Sequence, residues 1–190
     1  MTDADPTAQP VRILTICTGN ICRSPAAERL LRTHLDGVEV TSAGTGALVG
    51  EPIHPPMAAL MTRAGIDADG FTARALASEH VRDADLVLAL TVSHRSQAVV
   101  AWPGALRRTF TLRELARLAE HVGSDVLGEG TTADRLRALV PLAIRARGVV
   151  RVPPEDDDVV DPYRRPDAVY TQAYATIEDA VRRLAAVVTP

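Results

Sequence analysis

The run Asp85 to Leu90 (DLVLAL) is apolar at nearly every position, with no alternation of polar and apolar residues. A strand that shows water neither face must be covered on both, which points to a parallel sheet with helices on either side. Three further short runs read as strands beside it: Val11 to Ile16 (VRILTI), Val38 to Ser42 (VEVTS) and Leu106 to Thr109. Helical periodicity falls between them, over Ser24 to Leu35, Met57 to Ala64, Ser78 to Arg82, Ser93 to Ala101 and Leu112 to His121, while Ala43 to Pro56 is a Gly/Pro-rich loop. The expected fold is α/β: a three-layer sandwich with a central four-stranded parallel sheet and helices on both faces.

After His121 the rhythm breaks. Residues 122–152 open with a glycine-rich loop, GSDVLGEGTT, and continue as a helix with apolar positions at Leu136, Leu139, Val140 and Ile144. This segment reads as an insertion covering one end of the sheet. An acidic stretch, PPEDDD, leads into VVDPYRRP, and a closing helix presents Val169, Ala173, Ile177, Val181, Leu184 and Val188 to the sheet. With no repeat and no dividing linker, the organisation is a short disordered tail at residues 1–10 and a single domain over 11–190. A chain of 190 residues buries roughly 70% of its extended surface on folding, so no metal or disulfide staple is needed.

Several function classes fall away. All 21 basic residues are arginine, and without a lysine amine neither Schiff-base chemistry nor a Walker A phosphate loop can be built. The 24 acidic residues leave a net charge of -3 with no sustained basic run, so nucleic acid is not an expected partner. The longest apolar runs are far too short to span a bilayer and the amino terminus lacks a signal pattern, so no membrane association is expected. His34, His54, His80, His94 and His121 are scattered without zinc-site spacing, and no metal or cofactor is expected. Both cysteines sit in one short stretch and cannot form a secreted disulfide framework, the usage of a cytoplasmic protein.

That stretch, CTGNICRSP, lies between the first strand and the first helix. A loop leaving the carboxyl end of a parallel strand and entering a helix is the usual ligand site of such sheets. Its amides, from Thr18 through Cys22, can form an anion nest backed by the helix dipole. Gly19 and Asn20 are the residue types that tolerate the left-handed backbone such a nest needs. Arg23 can grip two oxygens of a phosphate with its planar fork. Amide dipoles, Arg23 and the helix terminus together favour the thiolate of Cys17, which makes the loop a nucleophile inside an oxyanion cradle.

CTGNICRSP resembles the C-x5-R-S active-site loop of the low molecular weight protein tyrosine phosphatases. The resemblance extends to TSAGTG at Thr41 to Gly46 and VVDPY at Val159 to Tyr163. It implies a phosphomonoester hydrolase, a protein tyrosine phosphatase, acting through a phosphocysteine on Cys17, with a phosphotyrosine-containing protein or a small aryl phosphate as partner. On the same grounds Asp161 is the general acid, Ser24 donates its hydroxyl toward Cys17, and Asn20 and Ser42 brace the loop. Thr18, Gly19, Asn20, Ile21, Cys22, Ser24 and Tyr163 form the substrate and phosphate site. Ser24 also reads as an N-cap of the first helix. Cys22 stands where many family members carry a second thiol, which raises reversible Cys17–Cys22 oxidation as a protective state.

The chain departs from the family at the substrate slot. Ala47, Leu48 and Val49 stand where members often carry Trp or Tyr, and aromatic residues make up 3% of the chain, so stacking on a phenol ring is weakened. Arg164 and Arg165 follow Tyr163 at the rim and read either as a solvated surface pair or as a contact for an acidic or multiply phosphorylated partner. Two other functions share the loop: an arsenate reductase relying on an external thiol, since no further cysteine is present for a relay, and a weakly catalytic phosphate-binding module.

Overall fold

β1 (Val11–Cys17) sits second in a four-stranded sheet of order β2-β1-β3-β4, with β2 (Val38–Gly44) on one side and β3 (Leu86–Ala89) and then β4 (Thr109–Thr111) on the other. Every pairing is parallel. A computed structural model describes residues 9–190; residues 1–8, most of the expected disordered tail, lie outside the described residues. The chain leaves β1 toward β2 and returns to the far side for β3, so the carboxyl end of β1 is a topological switch point, where such sheets open a crevice for ligands.

The strand residues alternate between two apolar layers, which explains why DLVLAL shows no polar face. Ile13, Leu86, Leu88 and Leu90 pack with α1 (Arg23–His34), α2 (Pro55–Arg63), α5 (Leu112–Val122), α6 (Thr132–Ala146) and α7 (Asp167–Val188). Leu14, Ile16 and Val87 point to the opposite layer, where α3 (Ser78–Asp83) supplies Val81 and α4 (Val92–Ala101) supplies Ala98. The sandwich is the expected one. In α7 the buried positions match the expected stripe, except that Tyr170, 1% exposed, takes the place of the half-buried Val169.

The fourth strand differs from expectation. Pro103–Arg108 form a 3-10 helix and the strand is Thr109–Thr111, three residues later than the run Leu106 to Thr109. Pro103 opens the helical turn, and the Arg108 guanidinium fixes it by donating to the carbonyls of Ala84, Arg82 and Gly104. Phe110 rather than Leu106 then reaches the core.

Within residues 122–152, α6 begins in a capping box between Thr131 and Asp134. It lies over the amino-terminal ends of β1 and β3, where Val11, Leu86, Leu136 and Val140 line a cavity of about 660 Å³. Beyond its end, Arg147 donates to Glu114 at 2.7 Å; that buried carboxylate also receives Arg95 of α4 and closes a capping box with Thr111. The segment thus runs from the amino-terminal ends of the strands to Glu114 at the carboxyl end of β4.

Candidate active site

Cys17, the last residue of β1, is buried at 2% exposure, and its Sγ lies 3.0 Å from Ser24 Oγ on the first turn of α1. Asn20 between them holds φ 54°, a left-handed backbone that costs a non-glycine residue about 1 kcal/mol or more. Its side chain offsets that cost. Asn20 Nδ2 donates to Ser24 Oγ and to Ser42 Oγ, both at 2.9 Å, and Oδ1 accepts the Arg74 amide at 2.8 Å. The Ser42 hydroxyl donates to Glu28 Oε2 at 2.6 Å, and Arg32 balances Glu28 at 2.9 Å. These directions orient the thiol's partner. Because the Ser24 oxygen already accepts from Asn20, its proton is free to point at the Cys17 sulfur.

The loop's carbonyls show where its amides face. The oxygens of Cys17, Thr18, Gly19 and Ile21 accept the backbone N–H groups of Thr45, Gly46, Leu48 and His54 at 2.8 to 3.0 Å. In a trans peptide the N–H of the next residue points the opposite way, so the amides of Thr18, Gly19, Asn20 and Cys22 are directed inward. The carboxyl end of β2 must come close for this. A side chain at Gly44 would put a Cβ 2.4 Å from the Thr18 carbonyl oxygen, so only glycine fits.

Arg23 closes the ring of donors. Its side chain is 5% exposed and is held by a terminal nitrogen on the Val159 carbonyl at 3.2 Å and by the other on Asp161 Oδ2 at 2.8 Å. Its buried Nε has no acceptor among the described residues. An unpaired buried donor is costly, and an oxyanion over the loop would satisfy it. Asp161 itself is half exposed, at 52%. It is carried by the segment after Val159, whose amide is tied to the Leu90 carbonyl at the end of β3, and its Oδ1 accepts the Tyr163 amide at 3.1 Å.

Cys17, Thr18, Gly19, Ile21, Cys22, Arg23, Asp161 and Tyr163 line one cavity of about 130 Å³, together with Gly46 and Leu48. Asn20 and Ser42 stand behind it. Tyr163 forms one wall, packed edge-on against His54 with ring centroids 5.3 Å apart, while His54 stacks on Tyr170 and meets its hydroxyl at 3.0 Å. Arg164 lies over the outer face of the Tyr163 ring at 5.1 Å. Of the three expected aliphatic wall residues, Leu48 alone lines the slot; Val49 is turned to solvent at 67% exposure. Nor is Ser24 the N-cap: α1 starts at Arg23 after Cys22, and the Ser24 hydroxyl is committed to Asn20 and Cys17.

The two thiols are both free and buried. Burial first, and then the nearby Cys17 and Asp161, push Cys22 up to about 12, so it stays a neutral thiol at any physiological pH. On the other side of the loop, Thr18 Oγ1 meets His94 Nε2 at 2.9 Å. Burial, reinforced by Arg23, lowers the His94 imidazole to about 4. Sequence reasoning passed over His94, Glu28, Arg74 and His54. One signal was available for His94: it follows Thr91 at helix-cap spacing just after the buried strand β3, at the same end of the sheet as Cys17.

A comparison with known proteins agrees with this geometry. Residues 12–126 match the family model described as low molecular weight phosphotyrosine protein phosphatase. The chain belongs to this family. It is 42% identical over 97 residues to the low molecular weight protein-tyrosine-phosphatase Etp of Escherichia coli (strain K12), a match that takes in 51% of this chain and 66% of Etp. It is 33% identical over 177 residues to the protein-arginine-phosphatase of Geobacillus stearothermophilus, across 93% of this chain and 95% of that protein. Among solved structures, the tyrosine phosphatase Wzb from Escherichia coli K30 in complex with sulphate superposes with a TM-score of 0.67 at 27% identity, covering 93% of this chain and 96% of Wzb. The expected phosphatase family and its parallel α/β fold are thus both found.

Proposed function

We propose that this family member is a phosphomonoester hydrolase, a protein tyrosine phosphatase working through a phosphocysteine on Cys17. The observation that carries the reading is that Cys17 and Arg23 line one cavity with the remote Asp161, with inward-facing amides and an Arg23 Nε that has no acceptor among the described residues. The Cys17 sulfur attacks phosphorus in line and the bond to the leaving oxygen breaks, while the amides of the loop and Arg23 hold the equatorial oxygens. Asp161 gives its proton to the leaving oxygen. Water then attacks the phosphocysteine, Asp161 takes the proton back, and the Ser24 hydroxyl stabilises the departing thiolate. To do this Asp161 must release Arg23, with which it pairs at 2.8 Å; a bound phosphoryl group supplies the replacement anion.

The slot above the cradle, walled by Ile21, Leu48 and Tyr163, supports an aryl group as the phosphate's carrier. A phosphotyrosine-containing protein or a small aryl phosphate is the substrate class we assign. A second reading is favoured by one observation: a relative that aligns across nearly the whole chain is named a protein-arginine-phosphatase. The experiment that separates them measures kcat/KM on two peptides of one sequence, one carrying phosphotyrosine and the other phosphoarginine. Preference for phosphotyrosine supports our assignment. Preference for phosphoarginine overturns the substrate and keeps the cysteine chemistry, and phosphate binding without turnover of either overturns both.

Two free thiols in one loop also support a cytoplasmic setting and a reversible Cys17–Cys22 disulfide, formed with hydrogen peroxide as oxidant and water as its product. Peroxide inactivation that a thiol reductant reverses, and that Cys22→Ser renders irreversible, is the expected behaviour. Equal recovery in the variant would contradict it.

A further inference from the structure

Thr18 borders the catalytic cavity and also a second, polar cleft of about 490 Å³ beside it, which reaches Thr91, His94, Asp158 and Asp161. His94, 4% exposed on the first turn of α4, spans the two hydroxyls: its Nδ1 lies 2.8 Å from Thr91 Oγ1 and its Nε2 lies 2.9 Å from Thr18 Oγ1. Counting protons among the described residues favours one direction for this chain. Thr91 Oγ1 already accepts the His94 amide at 3.2 Å, and among the described residues the acceptor within reach of its own proton is His94 Nδ1. A neutral imidazole that accepts at Nδ1 carries its proton on Nε2. In that tautomer Nε2–H donates to Thr18 Oγ1, and the Thr18 hydroxyl keeps its own proton. In the opposite tautomer the Thr91 proton would have no acceptor among the described residues, and the Thr18 proton would be used up on the ring.

We propose that His94 is a positioning residue that holds the Thr18 hydroxyl as a hydrogen-bond donor to a phosphoryl oxygen in the cradle. The proposal rests on the phosphatase reading and adds a side-chain donor to the backbone amides and Arg23. It requires a neutral ring, because an imidazolium donates from both nitrogens and would displace the Thr91 proton. The charged groups facing the ring are Arg23 from α1 and Asp158 and Asp161 from the segment before α7. Burial and Arg23 outweigh the two carboxylates and keep the ring neutral down to about pH 4. The same turn of α4 holds the acid side of the site, since the Val92 amide donates to Asp158 Oδ1 at 2.7 Å, so His94 and the loop bearing Asp161 share one anchor.

Nitrogen-15 NMR of imidazole-labelled wild-type protein tests the tautomer without reference to catalysis. A neutral His94 protonated on Nε2 at pH 6 is expected; protonation on Nδ1, or on both nitrogens, overturns the proposal. Inorganic phosphate then probes the donor. Thr18→Val and His94→Leu should each weaken phosphate binding about 10-fold, the size of a hydrogen bond to a charged group. The double variant should bind no worse than the weaker single one, and His94→Gln should recover most of the loss. Additive losses overturn the proposal, and if His94→Leu does not fold, the tautomer measurement still decides it. A wild-type protein that binds phosphate but turns over no substrate would overturn the phosphatase reading while leaving these readouts in place.

Discussion

The two walls of the cavity are built differently. On the nucleophile side, Asn20, Ser24 and Ser42 are at most 3% exposed, and the polar atoms of their side chains are tied to one another, to Glu28 and to Arg74. On the acid side, Asp161 is half exposed and Arg164 takes a left-handed backbone at φ 57°. That side is held just upstream of Asp161, by Val159 on Leu90 and Arg23, Asp158 on α4 and Arg113, and Asp157 on Arg117. The difference matches the chemistry. An anion cradle gains from being fixed before substrate arrives, because donors that need no reorganisation are worth most in the transition state. The acid must instead exchange Arg23 for a leaving group, and it sits on the wall that can adjust.

Substitutions on each side put this contrast at risk. The largest effect is expected at Arg23, where Arg23→Lys removes the bidentate fork while keeping the charge. Loss of about 10²- to 10³-fold in kcat/KM should follow, with weakened phosphate binding; a Lys variant of near wild-type activity would mean that charge alone suffices. Asp161→Asn should lower kcat by about 10²-fold. Phosphate should bind as well or better, because Arg23 is freed from its carboxylate. Weaker binding would show that Asp161 is part of the rigid wall after all. Asn20→Ala should cost about 1 to 3 kcal/mol of stability in denaturant unfolding, since it strands the Ser42, Ser24 and Arg74 groups and leaves the strained φ unsupported. A variant as stable as wild type would remove the case for an over-determined loop.

A smaller effect is expected from pH. The folded His94 imidazole lies at about 4, below the ordinary value of 6.5, so the unfolded chain takes up that proton first. Stability from this group is present above pH 6.5 and drains away as pH falls toward 4. Thermal melts of wild type and His94→Gln should therefore converge over that interval, and a constant gap between them would assign the pH dependence to other groups.

The same contrast explains what was legible in the sequence. The nucleophile side is one contiguous stretch, CTGNICRSP, in which strand, turn residues, thiol and arginine each have a local reason to be there. Asp161 carries no such signal: an Asp-Pro pair is ordinarily a turn, and it was found through resemblance to a family. Glu28, Arg74, His54 and His94 reach the site through the pairing of β1 with β2 and β3 and the packing of α1, α2 and α4, which residue spacing does not encode. The shifted β4 has a similar origin, since Arg108 is held by carbonyls of the residues around α3, remote in sequence. Ser24 was ambiguous for a local reason, because a hydroxyl at a helix start serves equally as a cap or as a partner to the thiol, and the position of Asn20 decides between them.

In this mechanism phosphate is transferred to Cys17 and released with help from Asp161. Acid-quenching the Asp161→Asn protein during turnover of an aryl phosphate, and locating the phosphoryl group by peptide mass spectrometry, tests it most directly. One phosphoryl group on the peptide containing Cys17, absent from Cys17→Ser, is the expected result. Turnover with that peptide unmodified, or with the phosphoryl group on another residue, would contradict it.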